Sequence, residues 1–127
     1  MDDAGDLVLA DDLANRGGVA MAGDRGDMCY VKDCAQGIQK VHMAKELPHK
    51  IYNIGSGRAT SNGDLVDAVN KAVPGAAIKL PEGSGGRSSE TSYCDISQTS
   101  AATGYRPEYD VYKGVADYAE WLRHNPQ

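Results

Sequence analysis

Residues 51–57 (IYNIGSG) join a β-rich run to a glycine turn, and a helix-like pattern follows. Strand, glycine turn and helix in this order can hold the phosphates of a dinucleotide. That fingerprint requires G-x-G-x-x-G, whereas Thr60 stands at the third glycine position. Two interpretations therefore remain open: a degenerate phosphate loop, or a tight turn in which the glycines serve only the backbone geometry.

A second chemical spacing is Tyr109-x-x-x-Lys113, which is the spacing of the catalytic pair in short-chain dehydrogenases. In those enzymes the lysine activates the tyrosine, whose phenolate accepts a proton from a substrate hydroxyl. A chain with seven tyrosines contains such a spacing easily by chance. Since Tyr109 precedes Asp110, the predicted cap of the last helix, the pair is not expected on one helical face and is not assigned to catalysis.

The three cysteines show no CxxC spacing, and Cys29, Cys34 and His42 do not match a zinc site. We therefore expect no metal ligands and a reducing compartment, the cytoplasm. A net charge of −5 argues against binding to nucleic acid or an anionic membrane. No apolar run reaches the length of a membrane span.

Turn and capping signals predict the elements that must position these residues. The predicted strands are 19–22, 28–31, 50–54 and 77–80, and the first two could pair as a hairpin. The predicted helices are 6–15, one from Asp33 to about Lys45, and three capped by Ser61, Asp95 and Asp110. This order indicates one α/β domain over residues 1–127, with a small mixed sheet flanked by helices. Because phenylalanine is absent and tryptophan occurs once, the core should be thin and require a partner surface.

Three segments in order carry a family resemblance: CYVKDCAQGI (29–38), YNIGSGRATSNGDLV (52–66) and YCDISQTSAATGYRPEYDVYKGVADYAEWL (93–122). They resemble the C-terminal part of an NAD-dependent epimerase/dehydratase, an extended short-chain dehydrogenase that acts on nucleotide sugars. The likeness covers about residues 6–124.

The resemblance implies a substrate-binding portion without the full Rossmann domain. In that family the NAD-binding G-x-x-G-x-x-G loop and the catalytic Tyr-x-x-x-Lys pair precede this portion. We therefore expect that this chain binds no cofactor itself, although NAD is implied for the full-length family.

The resemblance also implies two arginines that contact the diphosphate of a nucleotide sugar, a task that suits a planar cationic fork. Arg25 lies near the first position, although Gly26 occupies the matching register. Arg87 lies in the second loop, shifted by a few residues. Solvated surface arginines are the alternative interpretation.

Three functions follow as hypotheses. The chain is the substrate side of an epimerase that is inactive alone, a stand-alone module that binds a nucleotide sugar, or a purely structural oligomer. The expected partner is a missing NAD-binding domain or a second copy, since a bare strand at Ile51–Ile54 would leave unpaired and apolar surface.

Overall fold

The computed structural model describes residues 20–86 and 90–126, in which two short strands and four helices form. These elements are β1 (Arg25–Asp27), α1 (Val31–Met43), β2 (Ala59–Ser61), α2 (Asn62–Ala72), α3 (Ser97–Thr103) and α4 (Val111–His124). The predicted α/β class with a small sheet and flanking helices is confirmed. The predicted helix over 6–15 lies outside the described residues.

The sheet is a single antiparallel ladder between β1 and β2, in which Gly26 lies opposite Thr60. The predicted hairpin of 19–22 with 28–31 is therefore wrong. Gly23, in the segment between the two predicted strands, instead allows the loop around Gly83 to approach closely. Gly23 donates its N–H to the Gly83 carbonyl at 2.7 Å, and a Cβ on Gly23 would lie 2.5 Å from that oxygen. Close approach of two backbones, which only glycine allows here, explains the composition of this segment.

The predicted strands 50–54 and 77–80 are also wrong, because neither joins a ladder in the part of the chain that the structure describes. Backbone groups in both segments form hydrogen bonds with side chains instead. The Thr99 hydroxyl donates to the Asn53 carbonyl at 2.6 Å. The Asn70 amide bonds both the carbonyl and the N–H of Ile78, at 2.9 and 3.0 Å.

Two of the predicted helix caps are confirmed. The Ser61 hydroxyl accepts the Asp64 N–H at 3.0 Å at the start of α2, and the Asp110 carboxylate accepts the Lys113 N–H at 2.8 Å at the start of α4. These bonds satisfy helix N–H groups that have no intrahelical partner. Asp95 lies one residue before the cap position of α3 and bonds the Ser97 N–H at 2.9 Å.

The prediction that Asp33 caps α1 is wrong, since the helix already begins at Val31 and it ends at Met43, short of Lys45. Asp33 lies inside the first turn and is buried. Its carboxylate accepts the backbone N–H groups of Glu108 and Tyr109 at 2.8 and 2.9 Å. It therefore fastens the segment before α4 to α1 rather than starting its own helix.

The core is small, and its largest fully buried side chain is Tyr105. The Tyr105 hydroxyl donates to the Gly55 carbonyl at 2.8 Å. Helix α2 packs against α4, and Ala68 is the buried residue of α2. The apolar side chains Leu65, Val66 and Val69 of α2 are only half-buried. None of the described helices is both long and apolar enough to cross a bilayer.

Candidate functional site

The candidate site is formed by β1 and by residues 81–94, which we call the anchored loop and which the structure describes except for 87–89. Asp24, immediately before β1, is buried. Its Oδ1 accepts the Ser84 hydroxyl and the Gly85 N–H, both at 2.8 Å. The backbone adds the bond from the Ala22 N–H to the Pro81 carbonyl at 2.9 Å. The first half of the anchored loop is thus fixed to the start of β1.

Asp27, at the end of β1, fixes the other end of the anchored loop. Its Oδ2 accepts the Cys94 N–H at 3.1 Å and the Gly57 N–H at 3.3 Å, and its Oδ1 accepts the Ser56 N–H at 2.7 Å. Partial burial favours the neutral acid, but these N–H donors outweigh it and hold the pKa of Asp27 below its usual value. One ionised side chain therefore joins β1, the glycine turn and the anchored loop.

Arg25 lies in β1 between these two carboxylates and is half-buried. Strand alternation places it on the same face as Asp27. Its guanidinium makes no hydrogen bond or ion pair with the residues that the structure describes, so it is available to an anionic ligand. Arg87, the other predicted phosphate contact, lies outside the described residues.

Sequence reasoning missed Asp24 and Asp27 as the side chains that organise this region. Asp24 lies in the segment 23–26, whose composition is typical of a turn. Asp24 immediately precedes β1 and Asp27 is its last residue, so each end of this short strand carries one carboxylate.

The glycine turn at 55–57 has the geometry of a tight turn, with Gly57 at φ +71°. The N–H groups of Ser56 and Gly57 that could meet a phosphate are bonded to the Asp27 carboxylate instead. The backbone interpretation of the glycines is therefore the one that the structure supports.

Tyr109 and Lys113 are not arranged as a catalytic pair. Tyr109 precedes α4, as the capping signal at Asp110 predicted. The Lys113 ammonium lies 4.5 Å from the centroid of the Tyr109 ring, on its face and not at its hydroxyl. The centroid of the Tyr30 ring lies 4.7 Å from the centroid of the Tyr109 ring. Lys113 thus makes a cation–π contact within the start of α4, and the pair of tyrosine rings joins this segment to the start of α1.

The cysteines are not clustered as ligands. Cys29 and Cys34 are half-buried and Cys94 is exposed, all as free thiols. Burial raises the pKa of Cys29, so its thiol stays protonated near neutral pH. Among the described residues no three histidines, cysteines or carboxylates are grouped so that they could hold a metal ion.

No protein-family profile matches the chain. Individual proteins do match. The chain is 31% identical over 106 residues to a UDP-glucose 4-epimerase of Caenorhabditis elegans. The aligned region covers 80% of this chain and 30% of that enzyme. The chain is 27% identical over 124 residues to a bifunctional UDP-glucose and UDP-xylose 4-epimerase of Pisum sativum. This alignment covers 94% of this chain and 34% of that enzyme. The chain thus spans about a third of the length of these relatives.

The fold also matches a solved enzyme. WbmF of Bordetella bronchiseptica, crystallised with NAD+ and UDP, superposes with a TM-score of 0.65 and 22% identity, over 82% of this chain and 30% of that protein. The described fold is therefore that of one part of this larger enzyme. Together with the sequence relatives, this identifies the chain as related to the NAD-dependent nucleotide-sugar epimerases and corresponding to a portion of one, and the predicted resemblance is confirmed.

Proposed function

We propose that this chain forms the substrate side of a nucleotide-sugar epimerase or dehydratase, as one domain that is inactive without an NAD-binding part. The observation that carries the proposal is the fixation of the anchored loop to β1 by Asp24 and Asp27. A loop held at both ends can present a cationic side chain in one place, which lowers the entropy lost when a ligand binds.

In this proposal Arg25 and Arg87 contact the diphosphate of a nucleotide sugar. Arg25 brings a guanidinium that no described carboxylate neutralises. Arg87 lies in the anchored loop, three positions after Ser84, whose hydroxyl bonds Asp24. A guanidinium fork can bind two phosphate oxygens at once, and two such forks could hold the two phosphates of a diphosphate.

The proposal assigns NAD to the rest of the enzyme. Within the described residues the glycine turn does not fit a dinucleotide, because its N–H groups already bond Asp27 and the third fingerprint glycine is Thr60. No redox step is therefore derived for this chain. The free thiols support a reducing compartment, and we place the protein in the cytoplasm.

We further propose that an apolar face on this chain receives the NAD-binding domain. Val31, Ile38 and Met43 of α1 and Ile51 of the segment that follows are exposed, and we call this set of four side chains the open face. Met43 and Ile51 are 71% and 77% exposed, and no described strand pairs with the extended segment that contains Ile51. Extended segments outside a sheet and large exposed apolar side chains are both unfavourable in water unless another surface covers them.

A second candidate function is a purely structural oligomer, in which another copy of the chain covers the open face and no ligand binds. The same exposed side chains favour it. A nucleotide-sugar titration separates the two functions, because only the first requires a diphosphate site.

The experiment is calorimetric titration of the 127-residue chain with UDP and UDP-glucose. We expect binding that weakens about tenfold or more in Arg87→Ala and in Arg25→Ala, the loss of one charge-assisted bidentate contact. Arg106→Ala is the matched control, since Arg106 is exposed and lies outside the anchored loop. Absence of binding to the wild-type chain, or equal weakening in all three variants, would contradict the diphosphate site.

A further inference from the structure

Three backbone N–H groups converge on one point between β1 and two loops. The Ser56 and Gly57 N–H groups come from the glycine turn, and the Cys94 N–H comes from the end of the anchored loop. Their distances to the Asp27 carboxylate oxygens are 2.7, 3.3 and 3.1 Å. Successive N–H groups that point into one concavity form an anion-binding nest.

The backbone around this nest is shaped for a carboxylate. Gly57 adopts φ +71°, a left-handed backbone conformation that favours glycine at this position. A Cβ on Gly55 would lie 2.6 Å from Asp27 Oδ2, so any side chain at position 55 would exclude the carboxylate. The lowered pKa of Asp27 is consistent with donors that favour the charged form over the neutral acid.

We propose that the N–H groups of Ser56, Gly57 and Cys94 form a binding site for a small oxyanion, and that the Asp27 side chain is its built-in occupant. The native chain therefore takes no free phosphate at the glycine turn. A chain without the Asp27 carboxylate has an open site for a free carboxylate or phosphate. The proposal shares the Asp27 contacts with the proposed function, but its test uses small oxyanions and needs neither a nucleotide sugar nor the two arginines.

Two variants open the site by different amounts. Asp27→Ala keeps the Cβ and leaves space for formate, whereas Asp27→Gly also removes the Cβ and leaves space for acetate. We expect both variants to unfold at a lower temperature than the wild type. Formate should raise the Tm of Asp27→Ala saturably and restore at least half of the loss, whereas acetate should act more strongly on Asp27→Gly. Phosphate serves as a third probe and reports whether the site accepts a tetrahedral anion.

The control variant is Thr99→Val, which removes the hydrogen bond to the Asn53 carbonyl without opening an anion site. Sodium chloride at equal ionic strength controls for screening. If Asp27→Ala is unfolded in chloride, recovery of its far-UV circular dichroism on adding formate measures the same binding. In 15N spectra of either variant, the amide signals of Ser56, Gly57 and Cys94 should shift together with one saturation curve.

The proposal is overturned if formate stabilises Thr99→Val as much as Asp27→Ala, or if the three amide signals do not respond to it. It is also overturned if wild-type protein shows the same saturable response of these amides, because the site would then not be occupied by Asp27. Loss of nucleotide-sugar binding in the arginine variants has no bearing on these outcomes.

Discussion

The inside of this molecule is largely polar, whereas much of its outside is apolar. Among residues 20–86 and 90–126, six polar or charged residues are buried but only two hydrophobic ones, Ala68 and Tyr105. Ten large apolar residues of the same ranges are exposed, and they include the open face. Burial of apolar surface is normally the main favourable term in folding. The contrast indicates that hydrogen bonds contribute strongly to the conformation of the described part of the chain, while many of its large apolar side chains stay exposed.

The buried polar residues and the exposed apolar residues also differ in how many of their favourable contacts are made within the chain. Every buried side-chain nitrogen and oxygen that the structure describes has a hydrogen-bond partner. Asp24, Asp27 and Asp33 each accept two or more hydrogen bonds from backbone or hydroxyl donors. Removing one of these acceptors leaves several donors unpaired, whereas removing an exposed apolar side chain leaves the remaining contacts intact. The predictions below test this difference.

The largest effect is expected at Tyr105, the one large apolar side chain that is fully buried. Tyr105→Ala opens a cavity and leaves the Gly55 carbonyl without its donor, so it should destabilise the fold by about 3–5 kcal/mol. Urea unfolding followed by circular dichroism measures the loss. Tyr118→Ala, at a position that is 52% exposed, should change stability by less than about 1 kcal/mol. Similar losses in both variants would remove the distinction between the two regions.

A smaller effect is expected where α1 meets the segment before the glycine turn. A Cβ on Gly37 would lie 2.6 Å from Ile54 Cγ2 and 3.2 Å from the Tyr105 ring. Gly37→Ala should therefore destabilise the fold by about 1–2 kcal/mol, even though alanine is the better helix former. Gly26→Ala is the control, since a Cβ there meets nothing within 4 Å. A Gly37→Ala variant as stable as the wild type would show that these elements are not closely packed.

Asp27 makes the polar interior sensitive to acid. Because its pKa in the folded chain lies below that of the unfolded chain, its contribution to stability is present above the unfolded pKa, about 3.9. That contribution is lost as the pH falls through the folded pKa. Asp27→Asn should be less stable than the wild type at pH 7 and should lose less stability between pH 5 and pH 2. Parallel pH profiles of the unfolding free energy for the two proteins would contradict the proposed role of this carboxylate.

The open face should show the smallest effect on stability. Ile51→Lys places a charge at a position that is 77% exposed, so the unfolding free energy should change by about 0.5 kcal/mol or less. Met43→Lys should change the unfolding free energy by a similarly small amount, since Met43 is also exposed. A large loss of stability in either variant would mean that these side chains are part of the folded core.

Sequence reasoning succeeded where a signal is local. The Ser61 and Asp110 caps depend on a few neighbouring residues. It failed where the partner is distant. β1 pairs with β2 instead of a neighbouring strand, and Asp33 bonds the N–H groups of Glu108 and Tyr109. Strands of three residues carry too little periodicity to reveal their partner.

The same limit applies to the candidate site. Arg25 was found by its place in a family motif, but the contacts of Asp24 and Asp27 with the anchored loop join residues more than fifty positions apart. The resemblance supplied the order of the segments, whereas only the folded chain shows which carboxylate meets which N–H.

The measurement that tests the account most directly is the molar mass of the wild-type chain in solution, obtained by light scattering over a range of concentrations. If the open face requires cover, the isolated 13.5 kDa chain should self-associate at high concentration. A chain that carries both Met43→Lys and Ile51→Lys should remain a monomer. A wild-type chain that stays monomeric at high concentration would contradict the claim that this face is built to dock against another part of an epimerase.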